Sequence, residues 1–445
     1  MDQARKLAGD LLTKITKEGA YSGAELDQAL FNAKLTQQDK AFITELVYGT
    51  LARLYSIDRI LETYSKVRLS KMEDQVLSQL RLAVYQMKFL DRVPPFAAVS
   101  EAVTIVRKKS PKAAGFVNGM LRSILREEKA VAFAGETDRL AFEYSLKPEL
   151  VRHFQKTFGD RAPSILADLI QAEGLCIRVN QKKIASPNYT ARLQEVGLEA
   201  RPGWFSDQFL YLTRQGALRD LPGYRAGWFS VQNEAAALPP MLLHQLVPDG
   251  TILDLCAAPG GKSAYLAETP GDYRITAFDL SRRKLDRMEE NYKRLGLTVT
   301  TRIGDATEFQ PDLAESADGI LLDVPCSGLG LLGRKPDIRH NMDQKGMQEL
   351  AKIQARILRN GSRYLKRGGC LIYSTCTLNP AENQDNVRAF LADHPEFALQ
   401  AQPLERLAEQ AGARGLDNLL LHDGMLTVLP GAGLDGFFVA VLKKN

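Results

Sequence analysis

The sequence predicts a multidomain chain: an all-helical domain over residues 1–130, a small α+β linking segment over 131–235, and a doubly wound α/β domain over 236–445. Three observations carry this. Apolar residues recur at three- and four-residue spacing through the first 130 positions, without strand alternation. The next hundred residues mix helical and strand-like runs with Gly/Pro-rich connections. From about residue 236, short apolar runs alternate with amphipathic helices, as in a parallel sheet covered on both faces. A length of 445 residues suits two or three domains, and 45% hydrophobic with 25% charged residues suits a folded chain.

In the helical part, ARKLAGDLLTKI, DKAFITELVYGTLARLYSIDRIL, MEDQVLSQLRLAVYQMKFL, FAAVSEAVTIVRKK and AAGFVNGMLRSILREE each show the helical period. Pro94-Pro95 and Ser110-Pro111 separate successive segments. In the linking segment, ELVRHFQKTFG, APSILADLIQAEG and ARLQEVGLEA read as helices and LCIRVNQKK as a strand. The last part gives strands TILDLC, RITAFDL, TVTTRIGD, GILLDVP, CLIYSTC and GFFVAVLKK. Between them lie helices GGKSAYLAET, RRKLDRMEENYKRLG, a long one through MQELAKIQARILRNGSRYL, and AENQDNVRAFLADH.

The N-terminus lacks the apolar core of a signal peptide, and no run approaches the roughly 18 apolar residues of a membrane span, so a cytoplasmic protein without membrane contact is expected. Net charge is +5, and residues 1–130 hold 21 Lys and Arg against 15 Asp and Glu. Such a basic face attracts a polyanion, although a solvated helical surface has the same composition. Five cysteines, Cys176, Cys256, Cys326, Cys370 and Cys376, form no C-x-x-C pair, so neither a zinc site nor any other metal site is expected. Nothing points to an oligomer, and a monomer is expected.

ILDLCAAPGGKSAYLAE places Gly260 and Gly261 where the first strand turns into the first helix, letting a ligand approach the backbone and free N–H groups. Asp279 ends the next strand, 18 residues after Gly261, where a carboxylate can accept ribose hydroxyls; Asp305 ends the third. Each aspartate could equally cap a helix or close a turn. A nucleoside without a diphosphate fingerprint suggests S-adenosylmethionine rather than a dinucleotide or a nucleoside triphosphate. The fourth strand brings Asp323 and Cys326, and the next central strand brings Cys376, to the edge where open α/β sheets bind ligands. Thiols beside a methyl donor suit carbon 5 of cytosine, a poor nucleophile until a thiolate adds at carbon 6. Asp323 could hold N3 protonated, and the second thiol could assist breakdown of the adduct.

CAAPGGK, DVPCSGLG and STCTLNPAENQDNV resemble the cofactor loop and the two cysteine motifs of the RNA cytosine-C5 methyltransferases. The likeness spans about residues 140–445, with RVN, SVQNEAA and GLDGFFVAVLKK resembling further family segments. YSGAELDQAL, DKAFITELVYGTLAR, QLRLAVYQM, PFAAVSEAVTIVRK and GFVNGMLRSI resemble the NusB-type RNA-binding domain. The fusion is similar to a bacterial family acting on 16S ribosomal RNA at cytosine 967. The resemblance implies a Rossmann-like catalytic domain, Cys376 as nucleophile and Cys326 in product release. It implies cofactor contacts from Cys256, Ala257, Ala258, Pro259, Gly260, Gly261 and Lys262 and from Asp279, Asp305 and Asp323, with Asp323 also touching the cytosine. Its implied partner is 16S ribosomal RNA and not DNA, whose methyltransferases use the PC cysteine alone. A transfer RNA target and a non-catalytic RNA-binding factor are the alternatives. Val324, Ser263 and Asn233 stand where the family usually has alanine, threonine and aspartate; Arg334 and Lys335 could contact phosphate or belong to a plain surface loop.

Overall fold

The computed structural model describes residues 2–18, 22–32, 35–171, 174–213 and 218–445. Tyr21 of YSGAELDQAL, and Ala172 and Glu173 in the predicted APSILADLIQAEG helix, lie outside the described residues. The chain divides into two compact units, Met1–Ala167 with Leu332–Asp343, and Asp168–Leu331 with Gln344–Asn445.

Among the described residues the first unit is helical: α1 (Gln3–Glu18), α2 (Ser22–Asn32), α3 (Gln37–Ala52), α4 (Leu54–Tyr64), α5 (Asp74–Phe89), α6 (Pro95–Lys109), α7 (Ala114–Arg126), α8 (Glu136–Tyr144), α9 (Pro148–Phe158) and most of α10 (Ala162–Ile170). Thr36 starts α3 with a capping box, its hydroxyl accepting from Asp39 N at 3.1 Å while the Asp39 carboxylate accepts from Thr36 N. The run read as one helical stretch over 39–61 breaks at Arg53 (φ −112°, ψ 11°) into α3 and α4. Leu12, Ile43, Leu46, Ile57, Leu80, Val84, Val117 and Leu121 form the buried core, at the positions the helical period selects.

Leu332–Asp343, which follows the Cys326 turn in sequence, is built into this helical unit rather than into the sheet. It carries α15 (Ile338–Asn341) and is anchored by buried Arg339. Arg339 Nη1 donates to Ala52 O at 2.7 Å and Tyr144 O at 3.4 Å, the last carbonyls of α3 and α8, and Nε donates to Leu332 O. A cation at two helix C-termini meets the negative ends of both dipoles. Burial lowers Arg339 to about 10, still charged at neutral pH. Burial also takes His340 to about 4, so a neutral imidazole lies 2.6 Å from Leu51 O through Nε2. Arg334 and Lys335 are exposed on this segment.

The second unit begins with an antiparallel sheet of order β2-β3-β1-β4, from β1 (Leu175–Val179), β2 (Ala200–Pro202), β3 (Phe209–Leu212) and β4 (Phe229–Val231), covered by α11 (Ser186–Glu195). The helix predicted at ARLQEVGLEA starts earlier, at Ser186 with Pro187 in its first turn, and ends before Gly197, whose φ of +74° continues no helix.

Then follow α12 (Leu238–Leu246), β5 (Gly250–Asp254), α13 (Gly261–Glu268), β6 (Tyr273–Asp279), α14 (Arg282–Leu295), β7 (Thr300–Ile303), β8 (Ala317–Asp323), α16 (Gln344–Tyr364), β9 (Leu365–Thr375), α17 (Gln384–Asp393), β10 (Phe397–Leu399), α18 (Gln402–Ala413), β11 (Leu419–His422), β12 (Met425–Val428) and β13 (Phe437–Lys444). The main sheet runs β11-β12-β13-β9-β8-β5-β6-β7, with β10 beside β13. β7, β6, β5, β8 and β9 are parallel; β13 pairs antiparallel with β9, Phe438 opposite Thr375. Chain order reverses between β5 and β8, the switch point at which such sheets open a crevice beyond their carboxyl ends. No helix among the described residues is long and apolar enough to cross a membrane.

Candidate active site

Three turns open at that edge, after β5, β8 and β9. In the first, Cys256–Lys262, Ala257 N donates to Phe278 O and Gly260 N to Ala257 O. Gly260 has φ +93°, and a Cβ there would come within 2.7 Å of Tyr292 Oη, so only glycine fits. Ala257 is buried and Pro259 exposed, Ala258 lies between, and the Ala258–Pro259 bond is cis. Burial raises the Cys256 thiol far above the usual range, so it stays protonated.

Lys262 turns towards β8, the strand that leads to Cys326: its Nζ lies 2.6 Å from Asp323 Oδ2. Asp323 Oδ1 accepts from Ser374 Oγ at 3.0 Å, across the β8–β9 register that sets Asp323 opposite Ser374. Three residues past Asp323 and two past Ser374, the chain presents Cys326 and Cys376 with their sulfurs 3.2 Å apart. The hydrogen bond shared with Cys376, and then burial, raise the Cys326 thiol well above its ordinary value. Gly330 N donates to Cys376 O at 3.0 Å, and a Cβ on Gly330 would lie 2.0 Å from Gly436 O, which explains a glycine in PCSGLG.

Asp279 is nearly buried at the end of β6. Its Oδ1 accepts from Ser281 N at 3.0 Å, and among the described residues no hydrogen bond reaches Oδ2. Asp305 Oδ1 accepts from Thr307 N and Thr307 Oγ1, so this aspartate does close a turn, two residues beyond β7. The structure thus sets the glycine turn, Asp279, Asp305, Asp323 and both thiols along one sheet edge. Among the described residues no group of three or more His, Cys, Asp or Glu is placed to hold a metal ion.

The departures from the family pattern have local reasons. Ser263 keeps the hydroxyl needed for its 2.6 Å bond to Asp254, and Val324 is core. Asn233 Nδ2 donates to Gly433 O at 2.9 Å while its Oδ1 accepts from Ala235 N and Asp435 N. An aspartate could not make the first of these bonds.

Along its whole length the chain is 35% identical to the probable ribosomal RNA small subunit methyltransferase B of Synechocystis sp., with 100% of each chain covered. The chain belongs to that methyltransferase family. The Bacillus subtilis relative of the same description is 34% identical, with 99% of this chain and 98% of its own covered. The Klebsiella pneumoniae ribosomal RNA small subunit methyltransferase B is 31% identical over 99% and 98%. Residues 241–443 match the 16S rRNA methyltransferase RsmB/F description, 2–126 the NusB family, and 149–219 the ferredoxin-like domain of RsmF/B-like methyltransferases. The crystal structure of PH0851 superposes with a TM-score of 0.81 at 24% identity, covering 100% and 99% of the two chains, and so shares the fold.

Along this sheet edge, sequence reading missed Asp254, Ser374 and Glu382, although ILDLC and NPAEN contain the two acids. Asp254 ends β5 fully buried, its Oδ2 bonded to Ser263 while Oδ1 meets no donor at bonding geometry among the described residues. The open Oδ2 of Asp279, whose Oδ1 lies 3.5 Å from Lys284 Nζ, suits the hydroxyls of a nucleoside. Burial lifts the Asp254 carboxyl from 3.8 to about 6. The folded chain therefore holds this proton more tightly than the unfolded one. Its contribution is complete below about pH 4 and is lost as pH rises through 6, about 3 kcal/mol by neutral pH. Urea unfolding of Asp254→Asn should show a flatter pH dependence, gaining on wild type by about that amount between pH 4 and 7.

Proposed function

We propose that the protein methylates carbon 5 of a cytosine in 16S ribosomal RNA, cytosine 967 on the strength of the family likeness, with Cys376 as nucleophile. The observation that carries this reading is the 3.2 Å thiol pair beside the Lys262–Asp323 ion pair. When bound, S-adenosylmethionine supplies an electrophilic methyl group. The Cys256–Lys262 turn, Asp279, Asp305 and Asp323 would hold it.

The bond shared with Cys376, and then burial, raise the Cys326 thiol and favour its protonated form; on the family likeness Cys376 goes forward as the thiolate. Its lone pair forms the S–C6 bond, and the C5–C6 π electrons become those with which carbon 5 takes the methyl group. Asp323, paired with Lys262 at 2.6 Å, would hold the N3 proton that draws those electrons. The C5 proton then leaves to solvent water, its departure assisted by Cys326; the C5–H electron pair re-forms the C5–C6 double bond, and the S–C6 pair returns to Cys376 as thiolate. The target must leave its stack for this geometry. The helical region 1–130 and the segment 131–235 bind the RNA, 236–445 does the chemistry, and the protein acts as a monomer.

The test uses methyl-labelled S-adenosylmethionine with unmodified 16S RNA and, separately, transfer RNA, followed by bisulfite sequencing. One protected cytosine in 16S RNA is expected; label confined to transfer RNA would sink the substrate assignment.

A further inference from the structure

Glu382 lies six residues after Cys376 in the turn before α17, has no exposed surface, and is surrounded only by donors. Its Oε2 accepts from Ser327 N at 2.9 Å and Gln354 Nε2 at 2.8 Å; its Oε1 accepts from Asn379 Nδ2 at 2.9 Å and from Ser327 Oγ. Ser327 follows Cys326 directly. Pro325, which precedes it, is tied in as well, because Gln354 Nε2 also donates to Pro325 O at 2.9 Å. On the other side, Asn379 lies three residues past Cys376, Ser327 Oγ pairs with Thr377 Oγ1 at 2.7 Å, and Tyr373 Oη donates to Glu382 O.

A buried carboxylate is costly unless its acceptor sites are filled. Here four donors fill them, and two come from the residue beside one thiol. Glutamine offers the same length with two of its sites converted to donors, so it would face at least one donor with another donor. The acid's chemistry is therefore fitted to holding two loops together, 55 residues apart in sequence.

We propose that Glu382 is a positioning residue for methyl transfer: its carboxylate fastens the Cys326 turn to the Cys376 turn and so sets the spacing of the two thiols. The inference rests on the thiol mechanism above. The Cys326 thiol is raised first by the bond shared with Cys376 and by burial, and further by the Glu382 carboxylate.

The experiment compares wild type, Glu382→Gln and Ser327→Ala in two assays. The first measures kcat, the RNA KM and S-adenosylmethionine binding. The second, independent of any methyl transfer, measures bridging of Cys326 and Cys376 by phenylarsine oxide, which needs both sulfurs at close range. For Glu382→Gln, kcat should fall on the order of 100-fold with KM and cofactor binding within about threefold, as for reacting groups displaced by about 1 Å. Arsenical affinity should fall on the order of 100-fold as bridging becomes single-site binding. Ser327→Ala should move both readouts the same way by less, and decides the matter if Glu382→Gln does not fold.

A folded variant in which one readout moves without the other, or neither moves, overturns the proposal. If wild type methylates no RNA, the mechanism above falls, and arsenical bridging alone decides whether Glu382 sets the spacing.

Discussion

Cys376→Ala is expected to lose methyl transfer by on the order of 10,000-fold or more, while Cys326→Ala should stall with RNA covalently attached. The two sulfurs are 3.2 Å apart, so proximity does not distinguish them. The proton does. Cys326 is pushed well above its ordinary value by the bond to Cys376 and by burial, and a protonated thiol is no nucleophile. On the proposed roles, removing Cys376 takes away the sulfur that forms the S–C6 bond. On the same roles, removing Cys326 leaves that bond able to form and slows its breakdown. Incubation with labelled S-adenosylmethionine and 16S RNA, followed by denaturing gels, separates the cases: no label and no shifted band for Cys376→Ala, a denaturant-resistant protein–RNA band for Cys326→Ala. A persistent band from Cys376→Ala would exchange the two roles.

The central strands were legible because burial on both faces makes them continuous apolar runs: β5, β6, β8, β9 and β13 all fall on predicted stretches. The three- and four-residue strands β2, β4, β10 and β11 offer too few residues for a period to show. The β11–β12 hairpin, in contrast, carried a readable signal. Asp423-Gly424, with φ of +50° and +71°, is the two-residue Asp-Gly turn that joins antiparallel strands. In the site, residues at strand ends were legible because topology alone brings them to one edge. What was not legible depends on partners far away in sequence: Lys262 on Asp323, 61 residues on, and Glu382 on Ser327, 55 residues back. A motif shows that an acid is present in NPAEN; only the folded chain shows that every neighbour donates to it.

Arg178→Met should destabilise the second unit by about 3–5 kcal/mol, read by urea unfolding, because it strands a buried carboxylate. Arg178, from the RVN stretch on β1, and Glu268, the last residue of α13, are both fully buried. Nε and Nη2 of Arg178 donate to the two carboxylate oxygens at 2.9 and 3.0 Å, a paired fork. Nη1 reaches the opposite end of the same helix, donating to Gly261 O at 3.0 Å and to Gln232 Oε1. One guanidinium thus ties both ends of the helix that carries the glycine turn. Arg178→Met combined with Glu268→Gln should recover most of the stability, since the orphaned charge is gone. It should not restore the Gly261 bond. Cofactor binding should therefore stay weakened in the double variant while stability returns. Recovery of both together would mean that the ion pair supports the fold alone, with no separate hold on the turn.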